Sequence, residues 1–371
     1  MRLELTERPR VSASAAIAAP LFALAATIVF GAVLFTAMGL DPAKTLYAFF
    51  VEPLSEVWSL HELAIKAAPL IIIAVGLSVA FRSSNWNIGA EGQFIAGAIV
   101  SSALPVLAPG LTGVWIIPAM FLLGAAGGAA WGAIPAFLKT RFGTNEILVS
   151  LMLVYVAELL LDYLVRGPWR NPEGYNFPET RSFGADATLG DLIASGAFAG
   201  RANIGIVVAV IAALFTAVLI ARTLRGFSLR LSGESPRAAQ FAGFSVAGTT
   251  MFAFLYSGAL AGLAGTIEVA GALGQLRPDI SPGYGFTAII VAFLGRLNPI
   301  AIVVAGLALA LTELGAEGAQ ISVGLSDRFA RVFQGVLLFA VLASDALVRF
   351  RVRVRPSPRK RAATPSEQVA A

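Results

Sequence analysis

Between two uncharged apolar runs, PLIIIAVGLSVA at residues 69–80 and FIAGAIVSSALP at residues 94–105, the chain places the polar string FRSSNWNIGAEGQ. Apolar runs of this kind belong in lipid, where backbone that is not helical survives only if it is packed on protein or lines a water-filled cavity. An ionised carboxylate at that depth costs roughly 2.5 to 3.5 kcal/mol on insertion scales. Asn85, Asn87, Glu91 and Gln93 therefore need a purpose, and two readings stand side by side. In one, Gly89 and Gly92 let the backbone open while the amides and Glu91 face a water-filled path. In the other, the string is a turn at the cytoplasmic surface between two spans.

The class of chain is set by composition. Of 371 residues, 57% are hydrophobic and 13% charged, against about 25% charged in an ordinary soluble domain. This is an integral membrane protein, expected to be all-α. A single His and no Cys remove most metal, haem, iron–sulfur and thiol chemistry. The net charge of +5 sits in loops and at the C-terminus, which suits orientation and lipid contact, not nucleic acid.

Taken in order, residues 13–38 form a first, uncleaved span, and residues 41–62 an interfacial stretch whose Tyr47 and Trp58 suit a headgroup belt. Further spans are expected at 63–81, 88–107, 114–138, 145–165, 204–221 and 246–270. Gly124, Gly128 and Gly132 in one of them, and Gly258 and Gly262 in another, make ridges that let helices approach closely. Glu158 and Asp162, one turn apart, are expected near a membrane exit, neutralised by Arg166 and Arg170. Residues 166–201 make a long polar loop suited either to a soluble partner or simply to solvent. Residues 275–286 are too rich in Pro and Gly to be helical throughout. Apolar pieces at 287–294 and 299–314 are either two short crossings or one kinked element, and 331–348 is the last span. The expected domain is 1–350, followed by a basic, disordered tail at 351–371. With ten crossings and the N-terminus inside, about two-thirds of the 27 Lys and Arg residues fall on inside segments, so both termini are expected in the cytoplasm. NIGAEGQ at 87–93 is partly echoed by ELGAEGAQ at 313–320, a self-similarity that transporters built from repeated halves can show.

One cytoplasmic segment stands apart. Residues 222–243, RTLRGFSLRLSGESPRAAQFAG, are the most basic internal stretch, and Ser235-Pro236 reads as a cap and first residue of a helix of about two turns. The chain has no GxxxxGK[ST] loop with which to hydrolyse ATP.

Together and in order, FRSSNWNIGAEGQFIAGAI, GTNEILVSLML, GESPRAAQFAGFSV, SGALAGLAGTIEV and SPGYGFTAIIVAFLGR resemble the permease subunit of ATP-binding cassette importers, in the nucleoside and simple-sugar branch. The resemblance runs from about residue 63 to about residue 348. It implies a type II importer fold of about ten helices, some broken. It also implies a second and related permease chain, an extracytoplasmic binding protein, and a separate ATPase that holds ATP and Mg, with no cofactor on this chain. The location implied is the inner (plasma) membrane. Gly233, Glu234, Ser235, Pro236, Ala238, Ala239 and Gly243 fall at the segment that couples to the ATPase. Asn87, Glu91, Gln93, Asn145 and Glu268 are the candidate pathway residues. The chain departs from the nucleoside pattern at Asn85-Trp86, Val154, Ser235 and Arg237. A nucleoside or nucleobase is the expected solute and a simple sugar the alternative. A secondary transporter or channel would give the basic Pro-started helix no role, and an intramembrane enzyme would need more than the lone His61.

Overall fold

The computed structural model describes residues 2–7, 25, 27–193, 195, 196, 199–324, 332, 335, 336, 339, 340, 343 and 350–355. They divide into two units, one of residues 43–330 and one of the two chain ends.

In the unit of the chain ends, β1 (Arg2–Glu7) pairs antiparallel with β2 (Phe350–Arg355), with Glu4 opposite Arg353 and Leu5 opposite Val352. Helix α1 (Thr27–Ala37) is the described part of the first span. The membrane-spanning elements are helical, as expected, and residues 351–355 of the expected tail lie in β2. FRVRVR and RLELTE both alternate polar with apolar residues, the period of a strand and not of a helix. The rest of the tail and most of the last span, 331–348, lie outside the described residues.

The larger unit opens with α2 (Pro42–Phe50) and α3 (Glu52–Ser55); Tyr47 on α2 and Trp58, just beyond α3, are both about half exposed, a disposition that suits a headgroup belt. Seven of its helices are long and apolar enough to cross a membrane. They are α4 (Val57–Arg82), α5 (Ala90–Leu107), α6 (Ile116–Phe142), α7 (Glu146–Arg166), α8 (Gly205–Arg222), α11 (Val246–Ile267) and α13 (Pro299–Val323). Between α8 and α11 lie α9 (Leu224–Glu234) and α10 (Pro236–Phe241), both too short to span. After α11 come a π-helical turn, Glu268–Leu273, an irregular stretch, and α12 (Tyr284–Leu294).

From Ala67 to Phe81 helix α4 carries no charge and Ser78 is its one polar side chain, and a helix apolar on every face belongs at the centre. It packs against α8, α11, α12 and α13, and its residues from Ala67 to Ala80 are buried throughout. On its other side α11 lies against α5 and α6. There the two glycine ridges meet: a Cβ on Gly128 would collide with the Gly258 carbonyl and with Gly262. Any larger residue would force these helices apart, the reason small residues mark membrane helix contacts.

Helix α12 has 11 residues, about 16 Å of rise, roughly half of a 30 Å hydrocarbon layer. The piece that follows is a separate element. A turn with Arg296 at φ 51° and Leu297 at φ 56° leads to Asn298, which caps α13 through Ile300 N (3.0 Å). Helix α13 runs past the expected end near 314 to Val323, because ELGAEGAQ is made largely of good helix formers. The echo of NIGAEGQ thus lies inside a helix, whereas NIGAEGQ itself starts one.

Candidate functional site

Segment 83–89 joins α4 to α5, and the polar residues Asn85 and Asn87 within it and Glu91 and Gln93 just beyond it are sealed inside the protein. Asn87 is fully buried and Gln93 nearly so. Their amides clasp each other, Asn87 Nδ2 donating to Gln93 Oε1 (2.9 Å) and Gln93 Nε2 donating back to Asn87 Oδ1 (3.0 Å). The second Asn87 N–H goes to Ser257 Oγ on α11 (2.6 Å), and its oxygen also accepts from Gly89 N (3.2 Å). An asparagine has two donors and one two-lone-pair acceptor, so every group of Asn87 is used. Asn85 is buried and tied differently: Lys139 Nζ on α6 bridges Asn85 Oδ1 (2.9 Å) and Glu146 Oε1 (2.6 Å). The knot is therefore a fastening between α4, α5, α6, α7 and α11.

Glu91 does two things at once. Its Oε2 accepts from Gly285 N (2.5 Å), and Ser281 Oγ accepts from Gly283 N (3.2 Å) and Tyr284 N (3.0 Å). The residue before α12, Gly283, has no side chain with which to cap it. A helix start leaves amides unpaired and attracts negative charge, so Glu91 caps α12 from another helix. The same carboxylate borders a cleft of about 410 Å³ lined by Tyr155, Glu158 and Asp162 of α7 and by Ser281, among others. Glu158 is exposed. Asp162 is ion-paired with Arg166 one turn along (2.5 Å), as the sequence led one to expect. Glu158 faces the cleft without an ion pair among the described residues.

The five candidate pathway residues do not form one cluster. Asn87 and Gln93 make the clasp and Glu91 reaches the cleft. Asn145 is the N-cap of α7, accepting from Ile147 N (2.9 Å) and Leu148 N (3.4 Å). Glu268, 7% exposed, lies in the π-helical turn beyond α11, among the charges of Lys66 and Glu313. Sequence reading missed Ser257, Tyr155 and Ser281. Ser257 meets Asn87, 170 residues away, and Tyr155 and Ser281 come from separate stretches of chain to line the cleft with Glu91, placements that no local pattern announces.

At the α10 end of the bundle, Ser235 caps α10 (Ala238 N to Oγ, 3.4 Å) with Pro236 as its first residue. Glu234, Pro236, Ala238 and Gly243 are exposed, Gly233 and Ser235 half-buried, and Ala239 fully buried. Phe241, not singled out by sequence, is 96% exposed. A bare phenylalanine closing a capped two-turn helix is the kind of apolar anchor that protein interfaces use.

Among the described residues, no group of three or more His, Cys, Asp or Glu is arranged to hold a metal ion. Membrane-crossing helices, a half-length helix capped from its neighbour and a polar fastening beside a cleft define a polytopic subunit built to let a solute through a membrane. Residues 59–342 match the family described as the permease component of the branched-chain amino acid transport system. A glucose ABC transporter permease protein of Haloferax volcanii is 34% identical, over 95% of this chain and 94% of its own. A nucleoside ABC transporter permease protein of Lactococcus lactis is 28% identical over 87% of this chain and 89% of its own. A guanosine ABC transporter permease protein of Bacillus subtilis is 28% identical over 88% and 93%. The chain belongs to this permease family: it is the membrane-spanning transport subunit of an ABC importer and not an enzyme, and such a permease works with an ATPase and a substrate-binding protein.

Proposed function

We propose that this permease forms one wall of the path for a nucleoside or nucleobase, and that the cleft between α5, α7 and Ser281 is part of that wall. The observation that carries the reading is Glu158, an exposed carboxylate in the middle of a membrane-spanning helix. Charged side chains in spans face a water-filled cavity or the bundle interior, not lipid. Its neighbours Tyr155, Asp162, Glu91 and Ser281 offer hydrogen-bonding groups to a polar, uncharged solute. A second permease chain, related but not identical, covers the open side of this cleft.

Both termini lie in the cytoplasm, in the inner (plasma) membrane, and the crossings number about ten. The seven long helices are completed by the first and last spans and by the irregular stretch with α12. Hydrogen bonds support that last crossing. Thr180 in the 166–201 loop meets Leu276 at one end of the stretch (3.0 Å), and Arg82 at the end of α4 meets Leu297 at the other (2.8 Å). In this arrangement α10 docks on the ATPase, which holds ATP and Mg. Asn145 and Glu268 then lie further along the path from the cleft.

Nucleoside relatives support the solute, and the glucose permease relative favours a simple sugar as the second reading. The test is uptake by the complete transporter, permeases with ATPase and binding protein, in proteoliposomes supplied with labelled guanosine or labelled glucose. ATP-dependent uptake of guanosine is expected, and uptake of glucose alone would transfer the assignment to sugars.

A further inference from the structure

Helix α12 is held at both ends by side chains that flank the polar knot. Glu91 caps its first turn. At its other end, Arg82, the last residue of α4, donates from Nε (3.1 Å) and Nη2 (2.8 Å) to the carbonyl of Leu297. Leu297 and Arg296 both hold positive φ, a conformation that non-glycine residues keep only where their surroundings enforce it. Phe81 and Trp86, on either side of Arg82, stack on Phe293 at 5.2 and 6.1 Å between ring centres.

The same residue is gripped from behind. A Cβ on Gly233, in the last turn of α9, would collide with the Arg82 carbonyl. Ser84 Oγ donates to the Gly233 carbonyl (3.0 Å), and Ser84 itself has φ 54°. Gly233 is two residues from Ser235, the cap of α10. From the exposed α10, one chain of direct contacts therefore runs through Gly233 and the Arg82 turn to Leu297 and the half-helix.

We propose that Arg82 is a positioning residue that transmits displacement of the α9–α10 segment to α12, and so to the cleft at the other end of α12. Packed elements of this kind have discrete arrangements and pass on a shift instead of absorbing it. A guanidinium is suited to the task, because its planar fork places two donors on one carbonyl. This inference rests on the permease reading above.

The test uses the complete transporter in proteoliposomes, with guanosine as the probe and glucose in a parallel arm. ATP hydrolysis is measured with and without the probe, together with uptake and the amount of assembled complex. Arg82→Gln is expected to assemble normally while the ratio of stimulated to basal hydrolysis falls about tenfold, the loss of charge-assisted hydrogen bonds. Arg82→Lys, which keeps one charged donor, is expected to recover most of that ratio. Gly233→Ala, which pushes on the Arg82 turn from the other side, is expected to lower the ratio as well. Normal stimulation and uptake in Arg82→Gln would overturn the proposal. So would a loss of assembled complex in Arg82→Gln with an unchanged ratio in what remains, since that describes a brace and not a transmitter. If the unaltered complex shows no stimulation by either probe, the solute assignment fails. The Arg82 variants are then read by ATP-driven movement of a spin-label pair on α10 and α12. Unchanged coupling of that movement in Arg82→Gln would again overturn the proposal.

Discussion

Asn87 and Gln93, six residues apart across the start of α5, bind each other through both ends of their amides, with Ser257 of α11 taking the remaining donor. Two paired amides in a buried site are stable together and costly apart. Gln93→Leu strands the Asn87 groups, and a buried polar group left unmet costs about 1 to 3 kcal/mol. The expected result is a lower unfolding midpoint for the detergent-solubilised protein in either single leucine variant. The double variant Asn87→Leu with Gln93→Leu is expected to be less unstable than the sum of the two, because each single change penalises the partner left behind. Strict additivity would mean that the clasp is not formed.

At Glu91 the two roles can be separated by substitution. Glu91→Gln keeps an oxygen for Gly285 N and removes the charge that favours a helix start, an effect of about 0.3 to 1 kcal/mol. Glu91→Leu removes the acceptor as well. Membrane abundance is expected to be near normal in the glutamine variant and clearly reduced in the leucine variant, with uptake following the same order but falling further in both. Full abundance and full uptake in Glu91→Leu would show that α12 needs no cap from α5.

Much of this arrangement was legible in the sequence, and the missing parts share a cause. Apolar length alone marks α4 to α8, α11 and the start of α13, since a bilayer imposes one scale on every span. Ser235-Pro236 announces α10 because capping is local. The knot is visible because Asn87 and Glu91 interrupt apolar sequence. What it fastens to is not visible. Ser257 lies 170 residues from Asn87, and Gly285 lies 194 from Glu91. The pairing of Arg2–Glu7 with Phe350–Arg355 joins opposite ends of the chain. Local patterns fix elements and their ends, while the partners of buried polar groups are chosen by packing.

The direction in which a side chain leaves α10 was equally beyond sequence, and it changes what a mutation there means. Ala239 is fully buried whereas Phe241 is almost fully exposed. Ala239→Arg is expected to reduce the amount of folded permease, because an arginine would be driven into the bundle. Phe241→Ser is expected to leave that amount unchanged and to weaken capture of the ATPase by about tenfold or more, the order of effect of one anchor residue at an interface. Co-purification of the ATPase with each variant, normalised to permease, distinguishes the two. Undiminished capture by Phe241→Ser would remove this residue from the docking surface.

Glu158 offers the most direct test of where the path runs. Its helix, α7, buries less of itself than any other of the seven long helices, so most of its surface meets something outside this chain. Lipid would suit Met152 and Val156, both about half exposed, but a carboxylate facing lipid is strongly disfavoured. A face carrying Tyr155, Glu158 and Asp162 must then be wet, and a cysteine at 158 should react with a charged, membrane-impermeant thiol reagent. Cysteines at Leu214 and Phe215, exposed on α8, whose one polar side chain before Arg222 is the buried Thr216, should not react. The chain has no cysteine of its own, so each variant reports a single position. Guanosine supplied with the binding protein and ATP is expected to slow labelling at 158 and leave any residual signal at 214 unchanged. Equal reactivity at all three positions, or none at 158 in the assembled transporter, would place the path elsewhere and leave the Glu91 cleft as a fastening between helices.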